Sequence, residues 1–325
     1  MPSVSKIVRR VDRACSELYL KLVTERGALI AFFFHNLFRD ETEIARHVAD
    51  PLEAMTIQRF RRFVEYYAAQ GYTFVAPDDL CADLDPHKRY VLITFDDGYA
   101  NNHLALPVLN EFRAPATFFI ATNYIKQGRA YWWDVIYRER VKRGASADAI
   151  EREQESLKAK RHSEIEQYVR ATFGADAFTP VGDIDRPMTP AELRAFAQEK
   201  YVRLGNHTHD HAILPNYDEA GIRDQLARAQ RDLAEIAGVT PTSIAYPNGL
   251  FTPATIRLAR ELGLQFGLTV IGRKNYLPLA PASDRAFALA RFHLSTKRDV
   301  IEQCRLIRSD ILLYPRLRDH FKRGY

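Results

Sequence analysis

Apolar positions along this chain fall into two alternating patterns. The stretches "ALIAFFF" (28–34), "YVLITF" (90–95) and "ATFFIA" (116–121) run almost without polar interruption, as expected of strands buried on both faces. Shorter runs of the same kind are "TFVAP", "SIAYPNG", "FGLTV" and "FALARFHLS". Between them, residues 1–26, 56–70, 100–112, 219–238 and 252–263 read as helices, the first of them amphipathic. Gly238 closes one helix and the pair Thr252-Pro253 opens another. Strand, helix and strand in this order argue for an α/β fold with a mainly parallel sheet or barrel covered by helices.

A segment of about 126–190, rich in Glu, Arg, Lys and Ala, separates the two halves. It reads as a helical insertion with a solvated charged face, and its length does not require an independent domain. The chain, 1–325, is therefore expected to form a single domain with helical extensions at both ends. "ALIAFFF" is too short to span a bilayer, and no long apolar segment follows the early Lys and Arg residues as in a signal peptide.

Composition changes this picture little. With 46% hydrophobic and 27% charged residues, the chain is ordinary for a soluble globular protein. The formal charge of +5 is modest and its basic residues are spread out, which gives no support to nucleic-acid binding. Both ends are locally basic, "MPSVSKIVRRVDR" and "LLYPRLRDHFKRGY", as suits either a solvated helix face or peripheral contact with an anionic membrane. Cys15, Cys81 and Cys304 are odd in number and lack zinc spacing, so they read as reduced thiols. The expected location is the cytoplasm, peripheral to the inner membrane.

Two clusters carry candidate chemistry. Asp96 and Asp97 in "VLITFDDGYANNH" follow an apolar strand at its C-terminal end, where α/β proteins place ligands. An Asp-Gly pair also makes turns and caps helices. In "GNHTHDH", His207 and His211 stand at i and i+4, and on a helical turn they would face one way and hold a divalent ion with one carboxylate. His209 would point elsewhere. Imidazoles with a carboxylate suit zinc, or another late first-row ion such as cobalt, nickel or iron, over calcium or magnesium. A second carboxylate then has a use, one binding the ion and its neighbour taking a proton from the water it activates.

Three stretches, "TFDDGYANNHLALPVLNEFRAPATFFIATNYI", "MTPAELRAFAQEKYVRLGNHTHDHAIL" and "SIAYPNGLFTPATIRLARELGLQFGLTV", together resemble the polysaccharide deacetylase family, the NodB-homology carbohydrate esterases. The resemblance covers about 28–295 outside the insertion, and its pattern is nearest to the exopolysaccharide deacetylases. It implies an irregular (β/α) barrel with a metal at its mouth that removes N-acetyl groups from an amino sugar in a polysaccharide or glycan precursor. On that similarity Asp96 is the catalytic base, Asp97, His207 and His211 bind the metal, and Thr208 buttresses their loop by a hydrogen bond.

The third motif departs from the family pattern, because Ala245 stands where it has arginine and Asn248 where it has an aromatic. Arg291 is the candidate for the missing cation, and the backbone N–H of Asn248 for the oxyanion donor. The family's acid is a histidine in a Leu-x-His pattern. His35 and His293 are the candidates, and His35, ending an apolar strand, fits if the strand order is permuted. One of Trp132 and Trp133 is expected to stack on a sugar while the other packs inside, with Trp132 the candidate platform. Tyr99, Asn101 and Asn102 are expected to cap a helix and line the rim. The substrate would be an N-acetylated carbohydrate or glycolipid. Alternative readings are an amidohydrolase or deformylase acting on a small or lipid-linked sugar amide, and a non-catalytic carbohydrate-binding homologue.

Overall fold

The computed structural model describes residues 4–81, 84–280, 283–295 and 298–309. The basic run "LLYPRLRDHFKRGY" at the C-terminal end lies outside them. The apolar runs form β1 (Ala28–Phe34), β2 (Thr73–Val75), β3 (Arg89–Phe95) and β4 (Ala116–Ile120). The second half supplies β5 (Val202–Asn206), β6 (Ser243–Ala245), β7 (Phe266–Leu268), β8 (Asn275–Tyr276) and β9 (Arg291–Phe292).

The sheet runs β7-β6-β5-β4-β3-β1-β8, with β2 beside β3 and β9 beside β1. Every pairing is parallel except β1 with β8. A parallel bridge between Leu268 and Leu289 brings the segment before β9 against β7, so the strands curl into a nearly closed barrel. This is the irregular (β/α) barrel expected.

Strand alternation explains the uninterrupted apolar runs. Ile30, Phe32, Phe34, Val91, Ile93 and Phe95 pack outward against helices, including Phe60, Phe63 and Tyr67 of the helix Ile57–Ala69. The intervening Leu29, Ala31 and Leu92 join Phe119, Leu268 and Leu289 in a second cluster on the barrel side. Gly205 on β5 has to be a glycine, because a Cβ there would lie 2.2 Å from the Phe119 ring.

The insertion contributes the helices Trp132–Lys142, Ala147–Leu157 and His162–Phe173. Their apolar faces gather Trp132, Trp133, Ile150 and Ile165 around Tyr99, Tyr124 and Tyr131. Its charges are not all solvated, because Arg138 and Asp185 form a buried ion pair. The three cysteines are free. Among the described residues no helix is long and apolar enough to cross a membrane.

Candidate active site

The mouth of the barrel is set by register. Phe34 of β1 lies opposite Phe95 of β3, so His35 and the pair Asp96-Asp97 leave adjacent parallel strands at the same level. Asp96 continues the face of Leu92 and Thr94. Strict alternation would turn Asp97 the other way, but its φ of 77° and the 92° of Gly98 break the strand there. Both aspartates are buried.

Asp96 is held by Arg291. On β9 that residue is aligned through β1 with Ala31, below the strand ends, and its long side chain reaches up to the carboxylate. Nη1 and Nη2 donate to Oδ1 and Oδ2 of Asp96 at 2.7 and 2.8 Å. Nη1 also donates to Thr94 Oγ1 at 2.9 Å and Nε to the Thr269 carbonyl at 3.0 Å. Such a bidentate pair fixes orientation as well as charge. Burial works to raise the Asp96 pKa, but Arg291 and His207 outweigh it and hold the carboxyl at about 2.

Asp97 has different surroundings. Its two oxygens are buried without a hydrogen-bond partner, while His207 Nε2 and His211 Nε2 stand 3.3 and 3.4 Å from Oδ1. All three ligand atoms lie within 4.8 Å of one another. A tetrahedral ion with bonds of about 2.1 Å has ligand atoms about 3.4 Å apart, which the two separations match. His207 Nδ1 lies 2.7 Å from the Ala245 carbonyl; donating there leaves Nε2 bare, as a metal ligand requires. Burial lowers the His211 pKa to about 3 against the pull of Asp97, which leaves the His211 imidazole neutral. The residues present fit a divalent ion.

The two histidines do not sit on a helical turn. β5 ends at Asn206, and the chain continues as a loop in which Thr208 (φ 63°) and His211 (φ 53°) are left-handed. Side chains hold it in that form: Asn206 Oδ1 accepts from the Thr208 N–H at 2.8 Å, and Thr208 Oγ1 accepts from the Ala212 N–H at 2.7 Å. His209 points away, its Nδ1 2.8 Å from Asp232 Oδ2 and 3.0 Å from Thr122 Oγ1.

His35 Nδ1 stands 2.9 Å from Oε1 of the buried Glu53. Burial lowers the pKa of His35, but Glu53 and, more weakly, Asp97 and Asp96 overcome it and raise the value to about 10. His293 is solvent-exposed and its ring lies 6.1 Å from that of Phe33.

With this geometry in place, the sequence profile described as "Polysaccharide deacetylase" matches residues 83–267, more than half of the chain. The chain belongs to the polysaccharide deacetylase family. YxkH of Bacillus subtilis (strain 168), provisionally described as a polysaccharide deacetylase, is 22% identical over 217 residues. That match takes in 65% of this chain and 57% of the relative, so the chain spans little more than half of the relative's length. The Streptococcus pyogenes deacetylase PplD, solved in complex with acetate, has a TM-score of 0.58 at 16% identity, covering 87% of this chain and 99% of that one. IcaB from Ammonifex degensii has a TM-score of 0.56 at 17% identity, covering 87% and 98%. At these identities the likeness to both structures is one of fold.

His35, Glu53 and Arg291 lie outside the stretch matched to the deacetylase family. Glu53 has no sequence signal, because "DPLEAM" is neither periodic nor a motif. Its loop is unusual, with His47, Leu52 and Ala54 at φ of 52°, 44° and 43°. The insertion anchors it: Asp134 Oδ1 accepts from the Asp50 N–H at 2.8 Å, and Gln154 donates to Asp50 Oδ2 at 3.0 Å. Asp134 also accepts from Tyr99 at 2.8 Å.

Two expectations need correcting. Trp132 is buried against Trp133, since the insertion helix turns it inward, and it has no open face for a sugar. Trp133 is the tryptophan at the candidate ligands, its ring 4.6 Å from that of His211 and its Nε1 donating to Tyr99 at 2.7 Å. Asn101 and Asn102 are buried braces rather than rim residues: Asn101 accepts from the Leu37 N–H at 3.2 Å and Asn102 donates to the His35 carbonyl at 2.7 Å. Asn248 is half-buried, left-handed at φ 54°, with its Nδ2 unpartnered. Asparagine tolerates that conformation far better than an aromatic residue, which accounts for its place in this turn.

Proposed function

We propose that the protein hydrolyses the N-acetyl group of an amino sugar within a polysaccharide or glycan precursor, releasing acetate and a free amine. The observation that carries this reading is the division of two adjacent buried carboxylates, one bonded twice to an arginine, the other unpartnered beside two imidazole nitrogens. A divalent ion, zinc in this reading, held by Asp97, His207 and His211, would polarise the attacking water and the acetamide carbonyl.

Asp96 takes a proton from the water as its oxygen bonds to the carbonyl carbon. A carboxylate with so low a pKa is a weak base, so Arg291 contributes orientation and a constant charge more than basicity. The Asn248 backbone N–H donates to the developing oxyanion. His35, kept protonated by Glu53, gives its proton to the amine nitrogen as the C–N bond breaks. Trp133 and Tyr99 keep His211 in place. Family membership, the barrel fold and the placing of His35 level with the aspartates, while His293 is exposed, all support this assignment.

The decisive experiment measures acetate released from N-acetylglucosamine oligomers by metal-loaded protein, with and without chelator, beside Asp96→Asn. Chelation and Asp96→Asn are each expected to abolish release. No release by the loaded protein, or an unchanged rate in Asp96→Asn, would overturn the proposal. Formate release from an N-formyl sugar in place of acetate would point to deformylation.

A further inference from the structure

The N-terminal helix Val4–Leu22 is packed the wrong way round for a helix of a soluble domain. Of its described side chains, those most buried are polar: Asp12 is 3% and Ser16 1% exposed. The neighbouring helix Val300–Arg308 and its C-cap lie on that polar side, with Ser309 Oγ donating to Ser16 Oγ at 2.8 Å and Arg305 3.7 Å from Glu17. Three large aliphatic side chains of the helix face solvent instead. Val11 is 46%, Leu18 57% and Leu22 74% exposed, and Val23 just beyond the helix 43%.

Val11, Leu18 and Leu22 are seven and four residues apart, so they form one stripe along the helix. An amphipathic helix normally buries this stripe in the core; here the helix Val300–Arg308 packs against the polar side instead. The exposed Arg10 and Lys21 flank this stripe on one side, whereas Arg13 lies on the far side of the helix, paired to Glu17 at 3.1 Å. The helix carries five basic residues against two acidic ones, "VSKIVRRVDRACSELYLKL". It is not apolar enough to cross a bilayer.

We propose that this helix docks the protein onto an anionic phospholipid surface, with Val11, Leu18 and Leu22 turned into the acyl boundary and Arg10 and Lys21 against phosphates. An apolar stripe bordered by cations is the pattern of helices that lie in a membrane interface. Charge selects this occupant over a second copy, because two such helices face to face would oppose like charges across the contact. The docking is independent of the deacetylase reading.

The test is cosedimentation of the full chain with phosphatidylcholine vesicles, with and without phosphatidylglycerol. Binding is expected only with the anionic lipid, and it should weaken as salt screens the cations. The double variant Leu18→Ser, Leu22→Ser should bind about tenfold or more weakly with a thermal melt little changed, since both side chains are mostly exposed. Arg10→Glu with Lys21→Glu should remove the preference for anionic lipid. Wild-type protein that fails to pellet with anionic vesicles, or a double serine variant that binds as wild type, would overturn the proposal. A wild-type dimer by light scattering that the serine variant abolishes would assign the stripe to a second copy instead.

Discussion

Asp96 and Asp97 are neighbours in the chain, yet their side chains have opposite fates because the backbone turns between them. Asp96 stays on the strand's inner face and meets Arg291, whereas the left-handed φ at Asp97 presents its carboxylate to His207 and His211. Removing the arginine leaves a buried, unpaired carboxylate. Arg291→Ala is expected to cost about 3–5 kcal/mol of stability and to lower kcat by roughly a hundredfold. Arg291→Lys should recover part of the charge but not the two parallel bonds, giving an intermediate rate. Turnover in Arg291→Ala equal to wild type would exclude the residue from the reaction. Glu53 acts through His35. Because the folded pKa of His35 is raised to about 10, its pairing stabilises the fold fully below the ordinary value near 6.5, and that contribution disappears as pH rises through about 10. Glu53→Gln should therefore melt lower than wild type mainly at pH below about 6.5, with the basic limb of its pH–rate profile moved toward acid. A limb that stays in place would mean Glu53 does not tune the acid.

At the scale of elements, the loop after β5 carries two imidazoles by folding tightly enough to need two left-handed residues that are not glycine. Thr208 Oγ1 closes it on the Ala212 N–H. In Thr208→Val that buried N–H loses its partner, at a cost of about 1–3 kcal/mol, and loosened ligands should lower zinc affinity about 10–100-fold. Competition against a chromophoric chelator measures this, and unchanged affinity would show that the loop holds without the hydroxyl. The spacing of His207 and His211 is compatible with a helical turn or with this loop. Spacing alone does not separate them, because left-handed φ at Thr208 and His211 depends on the surrounding hydrogen bonds. β9 makes a similar point: two residues long, it matters because parallel pairing with β1 sets Arg291 at the right depth.

Across the whole molecule, barrel curvature gathers residues from both ends of the chain, with Arg291 and Asp96 separated by 195 positions. An ion bound only by the folded barrel stabilises it through mass action. Zinc at about a hundred times its Kd is worth about 2.7 kcal/mol. The Tm should rise by several degrees on zinc addition and return on chelation, and His207→Ala should be indifferent to both. A wild-type Tm unmoved by zinc would argue against a resident ion at Asp97, His207 and His211.

The sequence by itself determined most strands and helices and the candidate ligands Asp97, His207 and His211, because these rest on apolar periodicity and short-range spacing, which local geometry dictates. It also supplied the motif order on which the family resemblance rests. Tertiary structure alone decided that Arg291 reaches Asp96, that Glu53 stands behind His35, and that Trp133 rather than Trp132 packs on His211. It also decided that the first helix turns its aliphatic stripe outward, although that stripe reads in sequence like any core face. In each case the partner is chosen by strand register and by how the barrel and its insertion close, and no local period encodes that closure.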